Sequence, residues 1–103
     1  SERKNGQSIK ISIERPQNVP SSIMIRGMRV SEAMPLVEAY LDKAFRAGYK
    51  EVTIIHGRGE GILRQEVHDL CRRLPYVEDF RLGGPGEGGY GVTIVRFVNK
   101  SGS

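Results

Sequence analysis

One run, VTIIHGRGEGILRQEV at residues 52–67, restricts the folds open to this chain more than any other. Val52, Thr53, Ile54 and Ile55 are all β-branched, the mark of a strand. Their nearly unbroken apolar character points to burial on both faces or a central place in a sheet. His56 follows, and then glycine takes every second position, at Gly57, Gly59 and Gly61. From Ile62 the period becomes helical: Leu63, Val67, Leu70 and Leu74 share one face, and Arg64, His68 and Arg72 form a row on the other. A strand, a glycine turn and an amphipathic helix make an α/β arrangement, which needs further strands to pair with the first.

The flanking sequence supplies them. Ile23, Met24 and Ile25 read as a short strand that Gly27 breaks. Ser31 is placed to cap a helix whose apolar stripe is Ala33, Val37, Tyr40, Leu41, Ala44 and Phe45. Pro35 is expected in its first turn, where a missing N–H costs little, and Gly48 at its C-terminal end. Pro75 ends the second helix. YVEDFRL and GVTIVRFV are two more strands, and the short GGPGEGGYG between them predicts an antiparallel hairpin with a floppy loop at 83–91. The order β-α-β-α-β-β predicts an α/β two-layer sandwich: a mixed four-stranded sheet, helices on one face and the other face partly open.

At 103 residues the chain has room for one domain. Residues 23–98 read as that domain. Residues 1–22 read as a linker or disordered segment, with a possible extra strand where Ile9, Ile11 and Ile13 alternate with polar residues at 9–13. Residues 99–103 read as a disordered tail or a cloning remnant. The start at Ser1 and the end NKSGS suggest a piece of a longer cytoplasmic protein. No apolar run approaches the roughly 18 residues of a membrane span, and no signal peptide is visible. Cys71 stands alone, with no partner for a disulfide or at metal spacing, and reads as a small buried hydrophobe. With 38% hydrophobic residues and no Trp, the core must come from Ile, Leu and Val. A net charge of +4 suits an anionic partner such as nucleic acid, or simply a basic soluble surface.

In an open α/β sheet, ligands bind beyond the carboxyl ends of the parallel strands. Two turns are expected to converge there, RGMR after the first strand and HGRGEG after the second. Glycine lets the backbone approach an anion, and the helix starting near Gly61 adds its unpaired N–H groups. Arg26, Arg29, Arg58 and Arg64 would ring the same rim, and the guanidinium fork suits phosphate. GRGEG lacks the GK[ST] ending of a P-loop and the register of G-x-G-x-x-G, so a mononucleotide pocket is not expected. His56 is either a hydrogen-bonded structural side chain or a polar residue at the lip of that site. His68 reads as solvated or as a minor member of the basic row. Glu38 and Asp42 read as solvated surface, and neither a catalytic carboxylate pair nor H-E-x-x-H occurs.

IMIRGMRVSEAM, IIHGRGEGILR and EGGYGVTIV together resemble the Smr domain, the small MutS-related domain, over residues 23 to 97. The likeness is greatest to the copy at the C-terminus of the bacterial type-two MutS paralogue. The family's second motif is carried by His56, Gly57, Gly59, Gly61, Leu63 and Arg64, and its Glu-Gly-Gly turn by Glu87, Gly88 and Gly89. The first motif departs: Met24 stands where the family pattern has aspartate. The resemblance implies a fold like the C-terminal domain of translation initiation factor three. It implies nucleic-acid binding, endonuclease or nicking activity in many members, and a parent chain with an ATPase module. It links the parent family to suppression of recombination, with branched DNA as partner, or to rescue of collided ribosomes, with ribosomal RNA.

Two functions follow as expectations. One is a nuclease with weak or conditional nicking activity, in which His56 is acid or base, Arg26 and Arg64 stabilise charge, and a divalent ion, Mg or Mn, is the one cofactor left open. The other is a non-catalytic RNA- or ribosome-binding module using the same rim. Met24 favours binding, and Met24→Asp is expected to raise activity if the family's acid serves the chemistry.

Overall fold

The computed structural model describes residues 18–99. The candidate strand at 9–13 and the final residues 100–103 lie outside them. Four strands and two α-helices follow in order: β1 (Ser22–Met24), α1 (Val30–Arg46), β2 (Glu51–Ile55), α2 (Ile62–Arg73), β3 (Val77–Leu82) and β4 (Val92–Phe97), with a single 3₁₀ turn at Gly89–Gly91 before β4. The sheet order is β1-β2-β4-β3. β1 and β2 are parallel, while β4 runs antiparallel to both β2 and β3. This is the expected mixed sheet, and β2 is central as its composition predicts.

The apolar face of each element explains the layering. Ala33, Val37, Tyr40, Leu41 and Ala44 of α1 are buried, and Phe45 packs against them. Val67, Leu70 and Cys71 of α2 join Ile25, Val52, Ile54, Val95 and Phe97 in one core, with Leu63 and Leu74 at its margin. Cys71 is therefore a packing residue, and burial pushes its thiol up to about 11. Glu38 is exposed, and Asp42 pairs with Arg46 at 3.2 Å on the outer side of α1.

Three local expectations shift. α1 begins at Val30 with Arg29 as its N-cap, so the Ser31 side chain caps nothing. Pro35 consequently lies in the second turn of α1 rather than the first, and the helix tolerates it. The loop at 83–91 is organised rather than floppy: the Glu87 carboxylate accepts bonds from Arg81 at 2.8 and 3.1 Å and from the Gly84 N–H at 2.7 Å. Those partners, Arg81 foremost, hold the Glu87 carboxyl down to about 2.

Candidate nucleic-acid interface

The parallel pairing of β1 and β2 brings their carboxyl ends side by side, with the Ile25 N–H donating to Ile55 O at 2.9 Å. The two turns that leave them therefore meet. The N–H groups of His56 and Gly57 both donate to Gly91 O, at 3.1 and 2.8 Å, so the start of β4 fixes where the glycine turn leaves the sheet. Close packing explains the glycines at 57 and 91: an added Cβ would meet the Arg26 Cγ at 2.9 Å in one case and the Arg58 Cγ at 3.0 Å in the other. Gly61 is the N-cap of α2 at φ 85, a left-handed conformation that costs other residues about 1–2 kcal/mol. No side chain caps α2, so its first N–H groups are left for a ligand or solvent.

Two shallow clefts result, sharing Gly59 and Arg64 as a common wall. The first, about 340 Å³, is lined by Arg26, His56 and the residues from Gly59 to Arg64. The second, about 360 Å³, is lined by Arg58, Gly59, Arg64, Leu82 and Tyr90. Of the expected rim, Arg26, Arg58 and Arg64 are thus brought together. Arg29 is exposed at the N-cap of α1 and is not among the lining residues. Glu87 turns back onto Arg81 and Gly84, and Gly88 lies over Val92, so both shape the loop; Gly89 lies beside the Arg58 guanidinium.

His56 lines the first cleft yet is only 5% exposed. Its ring Nδ1 lies 3.1 Å from Gly57 O and its Nε2 lies 2.8 Å from Thr93 Oγ1. His68 Nε2 lies 2.9 Å from the same hydroxyl. These contacts fix the tautomers of the neutral rings. A carbonyl only accepts, so His56 Nδ1–H donates to Gly57 O and His56 Nε2 must accept the Thr93 O–H. The Thr93 hydroxyl then accepts from His68 Nε2–H. All three bonds point the same way, from α2 through β4 into the glycine turn. Burial first, and then the Arg64 charge, hold His56 below its ordinary pKa, against the Gly57 carbonyl bond that raises it. Burial, followed by the charges of His56, Arg72 and Arg64, does the same for His68, with Asp69 opposing.

His68 and Thr93 are the site residues that sequence reasoning passed over. His68 is not simply solvated: it is half-buried against β3, while Arg72 of the same row stays exposed. The His68 ring stands 4.8 Å from that of Phe80, and the Arg72 guanidinium lies over Phe80 at 5.4 Å. Thr93 is fully buried among apolar neighbours on β4, a position where a hydroxyl needs a partner. Position 24 lies elsewhere. Met24 is 57% exposed and pairs with Ile55, so it faces away from the helices while His56 faces them. An acid at position 24 would not stand beside His56.

The Smr domain family model matches residues 23–98. Over 91 residues the chain is 50% identical to "Endonuclease MutS2" of Lachnoclostridium phytofermentans, covering 88% of this chain and 11% of that protein. Over 94 residues it is 48% identical to the protein of the same name from Clostridium tetani, covering 91% of this chain and 12% of the relative. The chain thus spans about a tenth of the length of these curated relatives. Among solved structures, the Smr domain of Thermus thermophilus MutS2 superposes with a TM-score of 0.73 at 38% identity, covering 77% of this chain and 99% of that one. YdaL, a stand-alone small MutS-related protein from Escherichia coli, superposes with a TM-score of 0.72 at 25% identity, covering 75% and 63% respectively. Two-layer architecture, glycine turn and sequence all agree over one stretch of chain, and residues 23–98 belong to the Smr domain family.

Proposed function

We propose that this domain binds nucleic acid through phosphates held at the rim of the glycine turn, and that it nicks its substrate weakly or conditionally as part of a longer MutS-related protein. The observation that supports this reading is the gathering of Arg26, Arg58 and Arg64 around the uncapped start of α2. Backbone N–H groups and arginine forks at one rim are suited to a phosphodiester backbone, whose charge dominates affinity.

For cleavage, His56 is the acid–base candidate, with Arg26 and Arg64 as the charges beside it. Thr93 and His68 hold its tautomer from behind. Among the described residues, no three His, Cys, Asp or Glu side chains converge to hold a metal. A divalent ion, Mg or Mn, would therefore depend on the substrate's own phosphates with at most a carboxylate such as Glu60. RNA supplies its own 2′-hydroxyl nucleophile and needs only proton transfer and charge stabilisation. This site is better equipped for that than for activating water on DNA, so cleavage is expected to be slow and easier to see on RNA.

In the parent protein, the role proposed is suppression of recombination on branched DNA, alongside an ATPase module in the cytoplasm. A second reading, a ribosomal-RNA-binding module that does not cut, is favoured by the burial of His56 and the engagement of both its ring nitrogens. Among the described residues no helix is long and apolar enough to cross a membrane. The deciding assay incubates labelled DNA and RNA with the domain, with and without Mg or Mn, across a salt series. Binding that falls steeply with salt supports the rim, and cleavage lost in His56→Ala supports the nuclease. Salt-insensitive binding to one base sequence would contradict the phosphate reading.

A further inference from the structure

The phosphate rim has an apolar side. Five large hydrophobic residues are exposed among the described residues, and three of them, Ile62, Leu82 and Tyr90, line the two clefts that share Arg64. Exposed apolar surface is ordinary when scattered, but here it is concentrated beside three arginines. Tyr90 is 54% exposed, and Leu82 38%. The Arg58 guanidinium lies over the Tyr90 ring at 5.3 Å from its centroid. Arg58 is itself packed between Gly89 and Gly91, whose missing side chains leave room for it. The aromatic ring is therefore braced on one side by a cation while more than half of its surface stays open.

We propose that the cleft lined by Tyr90, Leu82 and Arg58 is a stacking slot for one unpaired nucleobase, so that this domain reads single-stranded or locally opened nucleic acid in preference to intact duplex. The proposal rests on the phosphate reading above and adds a base to it. Every base offers a flat π-face, which stacks on tyrosine with little regard to sequence. In a duplex those faces are hidden by the neighbouring pairs, and only a splayed-out base can present one. Arg64, the wall common to both clefts, is placed to hold the phosphate attached to such a base, while Arg58 serves ring and backbone together. At about 360 Å³ the slot is at the small end of ligand clefts, suited to a single ring system and not to a whole nucleotide chain.

The test compares a short labelled single strand with the duplex of the same sequence, in DNA and in RNA, by anisotropy over a salt series. Wild type should favour the single strand. Tyr90→Ala and Tyr90→Leu should each weaken single-strand binding roughly tenfold, and duplex binding less than about twofold. Tyr90→Phe should stay near wild type. The salt slope should not change in any of them, because no charge is removed. Thermal melts of the variants check that the fold is intact, and Tyr90→Leu keeps the bulk should the alanine disturb the turn. Equal losses on strand and duplex, or none on either, overturn the slot while the phosphate rim stands. Failure of wild type to bind either form in a salt-dependent way removes the rim and the slot together. Binding of Tyr90→Leu at wild-type strength shows a merely apolar contact and also overturns the proposal.

Discussion

The two glycine-rich segments of this domain look alike on paper and behave differently in the fold. In the turn at 57–61, an added Cβ would meet only the side chains of Arg26 and Arg64, and at Gly59 it would meet nothing within 4 Å. In the loop at 83–91, Gly83 and Gly88 lie over the buried Val92: a Cβ would come within 2.6 Å of its Cγ2 in one case and 2.7 Å of its Cγ1 in the other. The first segment keeps space for arginine side chains and a ligand. The second keeps space for buried Val92 under Gly83 and Gly88, and for an arginine only at Gly89 and Gly91. Glycine content alone does not distinguish a binding turn from a packing turn; what lies under each Cα does.

The largest effect should come from breaking the second segment. Gly88→Ala forces a residue with a side chain to φ 104 and against Val92, and should lower stability by about 2–4 kcal/mol in a denaturant melt. Gly59→Ala should leave stability unchanged or raise it slightly, by less than about 1 kcal/mol. If the two variants melt alike, the contrast between the segments is wrong.

Next in size is the rim itself. Arg58→Ala and Arg64→Ala should each weaken nucleic-acid binding on the order of tenfold at low salt, equally across sequences, and lower the salt slope by about one. Gly61→Val should harm both properties, because it disturbs the α2 N-cap as well as the approach of a ligand. Met24→Asp should leave any cleavage within about twofold of wild type, since burying no new group beside His56 changes neither charge stabilisation nor proton transfer there. A large gain in that variant would show that the chemistry extends to the other face of the sheet.

The smallest effect is a pH dependence. Both imidazoles are held neutral in the fold where an unfolded histidine, at about 6.5, begins to charge. As pH falls below that value the unfolded chain takes up protons first, so stability is whole above about 6.5 and declines toward the lower folded values. Melting temperature measured between neutral and mildly acid pH should fall, and His68→Gln should make the decline shallower. A flat profile would mean that both rings accept protons in the fold as readily as in the unfolded chain.

Much of this was legible from residue order. The helical stripes, the β-branched run of β2 and the meeting of two turns at one sheet end all follow from local periodicity and the geometry of α/β units. The His68 environment was not, because a helical wheel separates two faces and cannot say that the edge strand of the sheet, β3, reaches under part of the polar one. Thr93 was hidden in a strand where threonine is ordinary, and its value lies in which two rings converge on it. Ser31 failed as a cap because the helix starts one residue before it, at Val30, and takes its N–H acceptor from the Arg29 backbone. Tyr90 gave no signal at all: its meaning depends on Leu82 and Arg58, each from a different segment.

The sheet order has a consequence for how this domain is made. β4 pairs with both β2 and β3, and in sequence it comes after both. During synthesis from the N-terminus, everything up to Gly91 can emerge while those two strands still show bare edges to one another and to any other chain nearby. The two-stranded β1–β2 pair has little to hold it in that interval, and Thr93, which joins the two histidines, has yet to arrive. The domain is therefore completed from its middle, last of all. A chain stopped or cut shortly before Val92 should yield a sticky, unformed product with no glycine rim, in place of a weakened domain.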